Sequence, residues 1–338
     1  MSLLKKRLVF APFEYQEAYD YWLKQQQAHW LHTEISMSSD INDWKLKLSE
    51  HEKNIIGSVL KGFTQTEVMV NDYWMNKVGT WFPKPEISMM ASAFASMESI
   101  HAKAYAYLNE SLGLDDFEAF LQEPTSLAKI ENLIARPAKS KKDIARSLAV
   151  FSAFAEGVQL FSSFAILMSF STRDMLKGVG QIVAFSVRDE SLHSEAGCWM
   201  FRQLVKEFPD ILDDELKRDI VEAARVAVQL EDDFIDMSFS GKYANGYINV
   251  FYNNEKIRIG PHELKQYIRY RTNTKLGDLG LGKNWKNIDQ EALKKMGWFD
   301  DLTVGQEFQD FFAQRVTTYS KGTVDWSSIF EEDDVVNS

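Results

Sequence analysis

The chain has 338 residues, 45% of them hydrophobic and 26% charged, a balance that builds a buried core and excludes a disordered protein. Its 38 Lys and Arg against 49 Asp and Glu leave a net charge of −11, which argues against nucleic acid or an anionic membrane as partner. The single cysteine, Cys198, excludes an intrachain disulfide, and the N-terminal run Met1-Ser-Leu-Leu-Lys-Lys-Arg7 lacks an apolar signal core, so a reducing, cytoplasmic location is expected.

Four long segments carry helical periodicity, at about 50–78, 86–112, 141–172 and 174–207. Ser49 followed by Glu52 has the spacing of a capping box at the start of the first. Pro83 and Pro85 part the first from the second, and Gly113 stops the second. Shorter helices are expected at 115–122, 127–136, 213–238, 262–274, 287–295 and 305–319, with a short extended stretch at 245–258. The last residues carry Glu331, Glu332, Asp333 and Asp334 with little to pack, which predicts a mobile acidic tail. The stretch 147–172 approaches the length of a membrane span, but its serines, Gln159 and Glu156 fit a helix buried in a bundle better.

Glu156 is the only charged residue of that stretch. A carboxylate on an apolar helix is expensive unless it is protonated, paired or bound to metal. Each of the other long segments has a similar case. Glu67 has no charged neighbour between Lys61 and Asp72, Glu98 is the only acid between Glu86 and Glu110, and Glu190 follows Gln181-Ile-Val-Ala-Phe-Ser-Val187. Glu98 and Glu190 each have a histidine three residues on, His101 and His193. At that spacing two side chains share one helix face, about 4.5 Å apart in rise, and can reach one cation. Two lone Glu and two Glu-x-x-His pairs form the ligand pattern of ferritin-like dinuclear carboxylate proteins, and oxygen and nitrogen donors without thiolate suit iron or manganese.

The run Ala28-His-Trp-Leu-His-Thr-Glu-Ile-Ser-Met-Ser-Ser-Asp-Ile-Asn-Asp-Trp44, with Glu98-Ser-Ile-His101-Ala-Lys-Ala-Tyr105 and Arg188-Asp-Glu-Ser-Leu-His193, resembles class I ribonucleotide reductase small subunits. The resemblance runs from about residue 10 to about 320. It implies an all-α, ferritin-like helical bundle with additional helices over 1–320 and a flexible acidic tail at 321–338 that docks the large subunit. It further implies that Glu67, Glu98 and His101 hold one metal ion and Glu156, Glu190 and His193 the other. Tyr105 would store a radical, shielded by apolar neighbours such as Phe164. Trp30, Asp189 and His101 would pass the oxidising equivalent outward, and Tyr319 would hand it to the large subunit. A homodimer is implied, with an iron pair as the first expectation and a manganese–iron or dimanganese pair as alternatives.

Two positions depart from the family pattern. The first ligand is usually Asp where this chain has Glu67, as in a manganese–iron subgroup that lacks the radical tyrosine, whereas Tyr105 is present here. The terminus Val335-Val-Asn-Ser338 lacks the aromatic ending of many members. Other readings of the carboxylate pattern are a dinuclear-iron oxygenase or oxidase, which would need an open pocket at the metals, and iron storage, for which the chain is long.

Overall fold

The computed structural model describes residues 2–114, 123–132, 138–240 and 246–303. The helices expected at 115–122 and 305–319, Tyr319 and the tail at 321–338 lie outside the described residues. Labels below are given to helices of eight or more residues.

Helices α1 (Gln16–Gln27) and α2 (Ser38–Leu46) precede the long segments and were not legible as helices. Helix α1 ends in the polar run Gln25-Gln-Gln27, and α2 is only nine residues long, so neither has a sustained apolar stripe. Helix α3 (Glu50–Asp72) starts at the expected capping box: Glu52 N–H donates to Ser49 Oγ at 3.3 Å, and Ser49 N–H to Glu52 Oε2 at 3.0 Å. It continues into a π-helical turn, Tyr73–Val78. Helix α4 (Pro85–Leu112) begins on its proline and ends at Gly113, whose φ of 72° is open to glycine at little cost.

The stretch expected as one helix at 141–172 is broken. Helix α6 (Lys141–Leu148), after the short α5 (Pro124–Asn132), runs into a second π-helical segment, Ala149–Ala155, and α7 (Phe161–Ser171) starts only after an irregular turn. The N–H groups of Glu156 and Gln159 reach the carbonyls of Phe151 and Phe154 five residues back, both at 3.0 Å. Glycine on the facing helix α8 (Lys177–Glu207) makes room for the widened turn, since a Cβ on Gly197 would lie 1.9 Å from Ser152 Oγ. Apolar periodicity cannot distinguish this path from a straight helix, because 149–171 is buried almost all round.

Helix α8 starts at 177 rather than 174 because Asp40 of α2 caps it, accepting from Gly178 N–H at 3.0 Å and Val179 N–H at 2.8 Å. Helices α9 (Asp214–Ser238) and α10 (Pro261–Asp278) follow, and residues 290–303 form α11. The expected extended stretch is an antiparallel hairpin, β1 (Ile248–Tyr252) and β2 (Glu255–Ile259). Its turn residues Asn253 and Asn254 both have positive φ. The core lies between α3, α4, α6–α7 and α8, and α1 packs along α4. No described helix is long and apolar enough to cross a membrane.

Candidate metal centre

The six residues singled out by their spacing converge inside the bundle. Glu67 comes from α3, Glu98 and His101 from α4, Glu156 from the turn after the second π segment, and Glu190 and His193 from α8. All six are fully buried. Ligand atoms of Glu67, Glu98, His101 and Glu190 lie within 4.8 Å of one another, as do those of Glu98, Glu156, Glu190 and His193. The two groups overlap, so Glu98 and Glu190 stand between the two positions, where the resemblance assigns each to one ion.

Both imidazoles turn the same way. His101 Nδ1 faces the carboxylates, 3.1 Å from Glu98 Oε2 and 3.1 Å from Glu190 Oε1, and His193 Nδ1 is 2.6 Å from Glu98 Oε1. The opposite nitrogens face outward. His101 Nε2 lies 3.2 Å from Asp189 Oδ2, and His193 Nε2 lies 2.9 Å from Gln25 Oε1. An acceptor on Nε2 puts the proton there and leaves Nδ1 free as a donor to a cation.

Burial pushes the Glu67 carboxyl well above the usual range, helped by Glu190 and Glu98, and the Glu156 carboxyl rises for the same reasons. Glu190 is pushed up to about 7 by burial and by Glu98. Burial works upward on Glu98 as well, but His193 and His101 hold it below the ordinary value. Both oxygens of Glu67, Oε2 of Glu190 and Oε2 of Glu156 make no hydrogen bond within the protein, while Oε1 of Glu98 and Oε1 of Glu190 face only the Nδ1 atoms of the two histidines. Such orphaned acceptors cost on the order of 1–3 kcal/mol each unless something binds them. Four carboxylates carry a charge that two divalent cations offset, and the cluster therefore fits a dinuclear metal site.

Tyr105 lies one turn beyond His101, fully buried, with ring centres 6.2 Å apart. Its hydroxyl meets no hydrogen-bond partner. Burial, with the charge of Glu67, pushes the phenol well above its ordinary pKa. The ring against it is Phe63 of α3 at 4.7 Å, and Phe164 stands behind Phe63 at 5.2 Å. Trp30 Nε1 donates to Asp189 Oδ2 at 2.8 Å, the same oxygen that faces His101. Asp189 also accepts from Gln25 at 3.2 Å and from Arg188 at 3.3 Å. Burial works to raise the Asp189 carboxyl, but the bond to His101 and the charge of Arg188 keep it below the usual range.

Two residues of the site were missed by sequence reasoning. Gln25 sits in a polar run that carries no signal. Trp74 donates from Nε1 to Glu156 Oε1 at 2.5 Å. It lies seven residues after Glu67, on the same face of a regular helix, a spacing that could have marked it.

The family model "Ribonucleotide reductase, small chain" matches residues 7–291. The probable ribonucleoside-diphosphate reductase small subunit 376L of Invertebrate iridescent virus 6 is 32% identical over 98% of this chain and 99% of its own length. The ribonucleoside-diphosphate reductase subunit beta of Chlamydia pneumoniae is 24% identical, covering 93% and 91%. The same fold occurs in a class I ribonucleotide reductase structure from Bacillus halodurans, with TM-score 0.72 and 20% identity over 85% of this chain and 99% of that one. It occurs also in the dimanganese(II)-NrdF of Streptococcus sanguinis, with TM-score 0.67 and 20% identity over 86% and 99%.

Proposed function

The chain belongs to the ribonucleotide reductase small-chain family, and from that premise we propose that it stores an oxidising equivalent on Tyr105 beside a dinuclear metal centre. As a small subunit of ribonucleoside-diphosphate reductase it serves deoxyribonucleotide synthesis together with a large subunit.

In this reading Glu67, Glu98 and His101 would hold one ion and Glu156, Glu190 and His193 the other, with ligand atoms of Glu98 and Glu190 belonging to both groups. An iron pair is proposed, with manganese–iron and dimanganese pairs as the alternatives the donor set admits. When bound, the metals supply one-electron oxidising power drawn from oxygen. Tyr105 gives up one electron, and its phenolic proton passes to the Glu67 carboxylate, whose charge acts on the phenol. Its buried ring and Phe63 then keep soluble reductants from the oxidised phenol. His101, Asp189 and Trp30 form one unbroken hydrogen-bonded path leading away from the centre. Tyr319 and the acidic tail at 321–338 would complete it by docking the large subunit. We further propose one functional unit over residues 1–320, a homodimer, and a cytoplasmic location.

The observation that carries this reading is the position of Tyr105: buried, without a hydrogen-bond partner, one turn past a ligand histidine. Tyr105→Phe keeps the ring and removes only the oxidisable hydroxyl. It is expected to retain both metals while losing the radical signal in electron paramagnetic resonance and ribonucleotide reduction with the large subunit. Wild-type reduction rates from this variant would remove Tyr105 from the mechanism and place the oxidant on the metals.

A further inference from the structure

The π-helical turn Tyr73–Val78 sets oxidisable rings between the metal centre and the surface. Trp74 is hydrogen-bonded to Glu156, and its ring centre lies 6.1 Å from that of His193. The Tyr73 ring is 5.6 Å from Trp74 and 6.0 Å from Trp81, edge-on to both. Trp74 and Tyr73 are fully buried, whereas Trp81 is only half-buried and meets solvent. Tyr73 is held by its stack on Phe151 of the other π segment, ring centres 4.0 Å apart and nearly parallel. Both departures from regular helix thus meet at this row of rings, and it leads to the Glu156–His193 end of the centre. Trp30, by contrast, reaches the His101 end through Asp189.

We propose that Trp81, Tyr73 and Trp74 form an electron inlet, through which a soluble one-electron donor of the enediol class, such as ascorbate, reduces the oxidised metal pair at its Glu156–His193 end. The proposal rests on the metal-centre reading above. Trp74 gives one electron to the metal pair and is refilled from Trp81 across the Tyr73 ring. Trp81 is refilled at the surface by the donor. In sum one donor molecule loses one electron and releases its enediol proton to solvent, one metal ion gains the electron, and every ring is restored. The Trp74 N–H proton stays within its hydrogen bond to Glu156 throughout. The Tyr73 ring lies between the two indoles, edge-on to both, and is fully buried. Tyr73 is therefore a bridge, and the two indoles are the stopping points.

The test uses full-length protein, metal-loaded and oxidised, mixed rapidly with ascorbate while the metal-centred absorption is followed. Metal content and the Tyr105 radical signal are measured on the same samples. Trp81→Phe is expected to slow reduction several-fold with metal content and radical yield unchanged. Trp81→Tyr, which retains an oxidisable ring at the surface, is expected to recover most of the rate. Equal rates for wild type and Trp81→Phe overturn the inlet, as does a Trp81→Tyr protein no faster than Trp81→Phe. A wild-type protein that takes up no metal overturns the metal-centre reading and the inlet with it. One that loads metal and forms the radical, yet shows no effect at Trp81, removes the inlet alone.

Discussion

Gln25 ties His193 to the same carboxylate that orients His101. Its Oε1 lies 2.9 Å from His193 Nε2, and its Nε2 donates to Asp189 Oδ1 at 3.2 Å. The amide can sit only one way round: its donor end must meet the carboxylate and its acceptor end the imidazole N–H. Asp189 thus sets the tautomer of both histidines, one directly and one through Gln25. Gln25→Leu should leave His193 Nε2 and Asp189 Oδ1 without this partner, weakening metal binding about 10–100-fold, the usual effect of losing a group that orients a ligand. Calorimetric titration of the metal-free protein checks this, and unchanged affinity would show that Gln25 only fills space.

The metal-free protein should lose stability as pH rises. Burial raises the folded-state pKa of Glu190 from 4.5 to about 7 and raises Glu67 and Glu156 in the same direction. A carboxyl raised in the folded state binds more protons there than in the unfolded chain. Its contribution is complete below 4.5 and is lost as pH rises through about 7. Glu98 and Asp189 are lowered, so their contributions are lost only on the acid side. Melting temperatures should therefore fall across the window from 4.5 to about 7 without metal and level off or rise with metal, whose binding needs ionised ligands. Parallel curves with and without metal would count against the cluster as the binding site.

Gly197 should resist substitution out of proportion to its distance from the chemistry. An added Cβ would lie 1.9 Å from Ser152 Oγ and 2.1 Å from its Cβ, inside the π segment that delivers Glu156. Gly197→Ala should cost about 1–3 kcal/mol by overpacking and push Ser152 and its turn away from α8. Glu156 follows that turn, so metal stoichiometry should drop along with stability. Denaturant unfolding and metal analysis on the same variant test both; a loss of stability with full metal content would separate the glycine from the site.

Deleting residues 325–338 should abolish reduction with the large subunit while leaving metal content and the Tyr105 radical intact. That segment is acidic and offers little to pack, which suits a docking tail better than a structural element. Full activity from the truncated chain would place docking elsewhere.

Residue spacing by itself made the helical class legible, along with three of the four long segments and the six residues that meet at the centre. An acid alone on an apolar helix, or one with a histidine three residues on, is a local pattern whose cost is already apparent in the chain. The same holds for the capping box at Ser49 and the stop at Gly113. Tertiary structure decided the rest. Apolar runs buried on every side contain no periodicity that could announce a π turn, so the break around Glu156 depends on how Ser152 meets Gly197. Gln25 became part of the site only when α1 packed against it, because a hydrogen bond between residues 168 positions apart leaves no trace in local pattern, and the spacing of Trp74 from Glu67 could mark its face but not its bond to Glu156. That Glu98 and Glu190 stand between two positions likewise follows from how α4 and α8 face one another. Spacing along one helix can name a ligand, but only the approach of a second helix determines which ions it reaches.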